Sequence, residues 1–221
     1  MSVHLHRDLE ALNQRLLGVG ALVETATNKA LRALIDRRPS LAEEVVREDA
    51  EIDREEVLLE QECLKLLALH QPLASDLRFL IAVLKLNNDL ERMGDLASNL
   101  AERAIYVATN PPLQVTLPFE EMGALVLRMQ RKALDAVLQR NLDLALECLP
   151  MDDEVDALNV EMYKTLEPVM KADGSTAIRA LHALSCSRYL ERIADHATNI
   201  AEDVIFMING EVVRHQAPPQ A

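Results

Sequence analysis

Eight of the fifteen residues at 88–102 of this chain recur unchanged 100 positions later. Leu90, Glu91, Arg92, Asp95, Ala97, Asn99, Ala101 and Glu102 are matched by Leu190, Glu191, Arg192, Asp195, Ala197, Asn199, Ala201 and Glu202. A second motif repeats upstream: Asp49-Ala50-Glu51-Ile52-Asp53 aligns with Asp152-Asp153-Glu154-Val155-Asp156 at a shift of 103. The change of shift places three fewer residues between the motifs of the second copy, in the loop around Pro72 and Gly174. Such self-similarity means that one supersecondary unit is built twice. The run from Asn110-Pro111-Pro112 to Pro118 is the natural junction between the copies.

Apolar residues recur at helical spacing nearly throughout. Aromatics make up 3% of the chain and glycines number six, which disfavours a strand-rich fold. The spacing predicts helices over 4–36, 41–70, 75–109, 119–140, 142–171 and 175–209, with Ser75 capping the third and Pro168 kinking or fraying the fifth. The expected fold class is all-α: two tandem three-helix bundles over 1–110 and 119–210, a linker over 111–118, and a disordered tail over 211–221.

The formal net charge of −13 and the lack of any basic cluster argue against nucleic-acid binding, which requires cationic side chains to displace phosphate counterions. Cys63, Cys148 and Cys186 lie far apart without CxxC spacing, and read as reduced thiols in helix cores. No apolar run approaches the ~20 residues of a membrane span. The expected location is the cytoplasm, with membrane association only through partners.

The repeated motifs carry most of the chemistry. Glu91, Asp95, Asn99 and Glu102 form a stripe beside the core stripe of the third helix, and Glu191, Asp195, Asn199 and Glu202 do the same on the sixth. Asp49/Asp53 and Asp152/Asp156 add acids four apart on the second and fifth helices. Like charges at this spacing cost a helix roughly 0.2–0.5 kcal/mol per pair, and the one offsetting base read within these helices is Arg188, before Glu191. A lone pair of helical acids is ordinarily a solvated face. Two such pairs, each recurring in register, point instead to metal at Asp49, Asp53, Glu91 and Asp95, and at Asp152, Asp156, Glu191 and Asp195. Carboxylate ligation favours hard cations such as Mg²⁺, Mn²⁺ or iron over Zn²⁺, and bridging carboxylates suit multinuclear sites.

At these residues the chain resembles the PhoU family. The resemblance rests on Gln71-Pro72-Leu73-Ala74-Ser75-Asp76-Leu77-Arg78-Phe79, on the two Leu-Glu-Arg-x-x-Asp segments, and on the opening His6-Arg7-Asp8-Leu9-Glu10-Ala11-Leu12. It implies tandem three-helix bundles and a negative regulator of the phosphate-starvation response. It also implies an adaptor between the phosphate ABC transporter ATPase and a phosphate-sensing histidine kinase, a homodimer, and metal clusters on the eight acids. His196, where the first copy has Leu96, departs from the pattern and reads as a surface histidine rather than a ligand.

Two other functions are weighed. A carboxylate-bridged metal oxidase would draw on Glu-x-x-His pairs, but Gly94 and Ala194 stand three residues after Glu91 and Glu191. A metal-free helical tether would make the acids mere surface. No glycine-rich phosphate loop or basic pocket supports phosphate binding by the chain itself.

Overall fold

A computed structural model describes residues 3–212, which fold into α1 (Val3–Ile35), α2 (Pro39–His70), α3 (Ser75–Thr109), α4 (Phe119–Gln139), α5 (Leu142–Cys148), α6 (Met151–Ala172) and α7 (Ala177–Asn209). A single 3-10 turn, Gly174–Thr176, leads into α7. Among the described residues there is no strand, and no helix is long and apolar enough to cross a membrane. Of the expected disordered tail, residues 213–221 lie outside the described residues.

Each long helix follows from its apolar spacing. On α1, Leu5, Leu9, Leu12, Leu16, Val19 and Val23 recur every three or four residues and all are buried. Helices α1, α2 and α3 pack together as one bundle, and α4, α6 and α7 as the other, with α5 against α4 and α7. The bundles then pack side by side through α3 against α7 and α1 against α4. A single apolar core runs through both, from Leu5 to Met207. The three cysteines are buried and free, and burial pushes each thiol up to about 12.

The expected fifth helix is two helices. Leu149-Pro150 interrupts it, because Pro150 lacks the N–H a continuing helix would donate but fits immediately before a new first turn. The Asn141 side chain caps α5 by accepting from the amides of Asp143 (2.9 Å) and Leu144 (3.3 Å). Ser75 is the first residue of α3 rather than its cap, and Ala74 precedes it with no side-chain cap bond. Helix α6 continues past Pro168 to Ala172.

Helices α3 and α7 run antiparallel, as their pairings show. Near the start of α3, Lys85 Nζ lies 3.0 Å from Asp203 Oδ1 and 4.9 Å from the centre of the Phe206 ring. One turn on, Asp89 Oδ1 accepts from Asn199 Nδ2 at 3.2 Å and meets His196 Nδ1 at 2.8 Å. Near the end of α3, the Tyr106 ring stacks on His182 with centroids 3.6 Å apart. His196 is therefore a half-buried strut between the bundles, not a surface residue. Helix α1 approaches α4 through small residues: a Cβ on Gly123 would overlap Leu31, and one on Gly20 would overlap Leu134. The linker packs Leu113, Val115 and Leu117 against a smaller apolar cluster of α6 and α7 around Met162 and Leu184.

Candidate metal centres

In each half the outer helix lies against α3 or α7 so that the repeated acids meet. The first cluster joins α2 and α3. Carboxylate oxygens of Asp49, Asp53 and Asp95 all lie within 4.8 Å of one another. Gly94 sets this closeness, since the α3 backbone sits against Ile52 and a Cβ there would stand 3.1 Å from its Cγ2. Burial raises Asp49 above the usual carboxylate range, reinforced by Asp53, Asp95 and Glu102 against the lowering pull of the Ser98 hydroxyl. Burial likewise raises Glu91, with Asp95, Glu56 and Asp53 adding to it.

The first cluster contains one acid that the motif reading did not include. Glu56, one turn beyond Asp53, is raised by burial and by Glu60 and Asp53. Asn87 Nδ2 holds it by donating to its Oε1 at 3.1 Å and to its backbone carbonyl at 3.0 Å. The second half places Asn159 and Ser187 at the corresponding positions, with the Ser187 hydroxyl donating to Asn159 Oδ1 at 2.6 Å. The same inter-helix clamp is thus charged in one copy and neutral in the other. The signal was present in the sequence as an acid on the same face of α2 as Asp53, but it does not repeat.

The expected shortage of offsetting bases needs correction. Arg92 reaches Glu91 Oε2 at 3.4 Å and Asp95 Oδ2 at 3.8 Å from the same helix. Arg188 reaches Glu191 Oε1 at 3.5 Å. These bases are more than half exposed, and exposed pairs of this kind are worth roughly 0–1 kcal/mol. They soften the repulsion without removing it.

The second cluster joins α6 and α7. Burial, then the neighbouring Asp195 and Asp156, push Asp152 up to about 6. Burial also raises Asp195, with Asp156 adding to it while His196, Arg188 and Arg192 oppose. Glu191 is raised by burial, with Asp195 and Asp156 adding to it and Arg188 opposing. Asp152 Oδ1, Glu191 Oε2 and Thr198 Oγ1 are buried and have no hydrogen-bond partner. Among the described residues the trio of Asp49, Asp53 and Asp95 is the one group of metal-type ligands that closes to 4.8 Å. The second set does not close to that distance, and its Asp156 and Asp195 are exposed.

The donor set fits cations. Both clusters present only oxygen, and burial, with neighbouring acids adding to it, holds Asp49, Glu91, Asp152, Glu191 and Asp195 above the usual carboxylate range. The orphaned oxygens of Asp152 and Glu191 are what a missing positive partner would leave behind. His196 turns to Asp89 rather than into the cluster, so no carboxylate–histidine ligand pair of the di-iron type is formed there.

The comparisons with known proteins agree with this architecture. A family model described as the PhoU domain matches twice, over residues 16–104 and 119–204. A phosphate-specific transport system accessory protein PhoU homolog from Aquifex aeolicus is 39% identical over 212 residues, covering 96% of each chain. Its counterpart from Pseudomonas aeruginosa is also 39% identical, over 97% of this chain and 89% of that protein. The crystal structure of PhoU from Pseudomonas aeruginosa superposes with a TM-score of 0.90 at 38% identity, covering 93% of this chain and 99% of that one. The phosphate transport system regulatory protein PhoU from Streptococcus pneumoniae gives 0.84 at 29% identity, covering 95% and 99%. With both copies of the repeat matched and relatives aligned from end to end, the chain belongs to the PhoU family.

Proposed function

We propose that this chain is an accessory regulator of phosphate-specific transport. The observation that supports it best is the end-to-end likeness to accessory proteins of phosphate-specific transport systems at 39% identity. In this reading the protein is a cytoplasmic, non-enzymatic adaptor and works as a homodimer. It contacts the ATPase of a phosphate ABC transporter and a phosphate-sensing histidine kinase, and it keeps the starvation response repressed while phosphate is plentiful.

The eight repeated acids hold divalent or iron-type cations, with Fe, Mn and Mg favoured over Zn by the all-oxygen donor set. Asp49, Asp53, Glu91 and Asp95 take the first site, and Asp152, Asp156, Glu191 and Asp195 the second. A cation there supplies positive charge to converging carboxylates and ties each outer helix to its inner neighbour. The support for this is the convergence of the Asp49, Asp53 and Asp95 oxygens and the unpartnered oxygens of Asp152 and Glu191.

The adaptor reading is tested by deleting the gene in its host and following a phosphate-responsive reporter at high phosphate. Derepression on deletion, restored by the intact chain, with the ATPase and the kinase each co-purifying with it, is the expected result. A reporter that stays repressed, with neither partner recovered, overturns it.

A further inference from the structure

Both copies of the repeat turn a corner on an arginine. Arg37, after α1, and Arg140, after α4, are related by the shift of 103 and share left-handed backbone angles, φ 52° and 47°. What stands beside each differs. Arg140 lies over the Phe79 ring, 5.1 Å from its centre. By the shift of 100 the counterpart of Phe79 is Arg179. At the other end of the molecule a second arginine therefore stands where the ring would be.

Arg37 and Arg179 come together at the linker. Arg37 Nη2 donates to the carbonyls of Ala108, at 3.2 Å, and Asn110. Arg179 Nη1 donates to the next two carbonyls, of Pro111 at 3.2 Å and Pro112 at 3.4 Å. Two guanidiniums, one from each half, thus sit on neighbouring peptide groups, where their like charges repel. Among the described residues neither forms an ion pair with a carboxylate. Nε and the second terminal nitrogen of each have no acceptor there either. A guanidinium does not deprotonate in a protein, so the pair cannot relieve itself by losing a proton. It leaves no basic cluster in the sequence, because its members stand in different halves.

Both side chains line a cavity of 470 Å³ bounded by the ends of α1 and α3, the linker, and the first turns of α4 and α7. Small-molecule sites run to roughly 300–1,000 Å³ and favour junctions between domains. The wall is mostly apolar, with Leu34 and Ala183 buried and Tyr106 and Phe119 half-buried. Tyr106 is held in place by its stack on His182. Glu120 and Glu121, exposed on the first turn of α4, also border the cavity and pair with neither arginine. A ligand must therefore carry its negative charge on one head, toward the arginines, and none along its body. We propose that this cavity binds one small organic dianion per chain, its head held by Arg37 and Arg179 and its apolar body against Leu34, Tyr106 and Phe119. A phosphate monoester and a geminal dicarboxylate both have that head, since each offers several oxygens to forked N–H donors. The site is separate from the metal centres, because Tyr106 stands eleven residues, about 16 Å, beyond Asp95 on α3. It goes beyond the adaptor reading and does not depend on it.

The test is isothermal titration calorimetry of the full chain, before and after chelation, with phenyl phosphate and with benzylmalonate. Inorganic phosphate supplies the head without the body, and benzyl alcohol the body without the head. Expected is saturable binding of one phenyl phosphate or one benzylmalonate per chain, unchanged by chelation, the tighter of the two assigning the head group. Inorganic phosphate and benzyl alcohol should each bind at least about tenfold more weakly. Arg179→Phe, which installs the residue of the first copy, should weaken binding at least about tenfold, while Arg140→Gln leaves it unchanged. Arg179→Gln repeats the measurement should Arg179→Phe lose its helical circular dichroism. Binding of neither dianion, a stoichiometry of two, or equal affinity for inorganic phosphate or benzyl alcohol overturns the proposal. So does loss of binding on chelation, unchanged binding by a folded Arg179 variant, or weaker binding by a folded Arg140→Gln chain.

Discussion

His196 Nδ1 meets Asp89 Oδ1 at 2.8 Å and so ties the inner helix of one bundle to that of the other. Neither residue is repeated: Leu96 and Tyr189 occupy their counterparts' positions. The Lys85–Asp203 pair behaves alike, with Ser185 and Arg103 as the counterparts. The eight repeated acids lie in the two clusters, whereas Lys85, Asp89, His196 and Asp203, on which the copies differ, join the repeated Asn199 in the polar contacts of the junction.

The His196→Leu variant, which installs the residue of the first copy, removes one partner from a buried carboxylate. Loss of such a partner costs about 1–3 kcal/mol. Urea denaturation should show a lower midpoint with an unchanged slope, while metal content stays that of the parent. A fall in bound metal would make His196 a ligand after all.

Close approach of α1 and α4 makes Gly123 intolerant. Gly123→Val drives a branched side chain into Leu31, and overpacking of this kind costs about 1–3 kcal/mol. Gly18 is exposed in α1 with open space around its Cβ position, so Gly18→Ala should stabilise by about 0.5–1 kcal/mol through helix propensity. Thermal unfolding of the two variants should move in opposite directions.

Asp152 gives the metal-free protein an inverted response to acid. Its proton leaves near pH 6 in the folded chain and near its ordinary value of 3.8 in the unfolded one. Between those values the folded state binds more protons, so stability falls as pH rises through the window and stays low above it. The contribution is on the order of 1–2 kcal/mol after allowance for partial exposure. Chelated protein should therefore unfold at higher urea at pH 5 than at pH 7. Saturation with metal should reverse the order, because a cation favours the ionised carboxylates.

The helices and the eight acids were legible because both rest on short-range periodicity that the repeat doubled. The antiparallel contact of α3 with α7 was not. It depends on Lys85, Asp89, His196 and Asp203, which look like scattered surface residues until the two bundles are placed together. Pro150 was visible in the sequence, yet the strong apolar period on either side of it concealed the break between α5 and α6. Glu56 escaped because repetition was the criterion, and its counterpart is Asn159. The shared core across the bundles was hidden for a related reason: apolar positions of α3 and α7 read alike whether they face their own bundle or its neighbour.

Elemental analysis of the chain, purified without chelator or affinity tag beside an Asp95→Ala/Asp195→Ala variant, tests the reading of the clusters most directly. Stoichiometric Fe, Mn, Mg or Zn in the parent and its loss from the folded variant is the predicted result. No metal in the parent, even after reconstitution with Mg²⁺, Mn²⁺, Fe²⁺ and Zn²⁺, would contradict it and leave the acids as docking or packing surface.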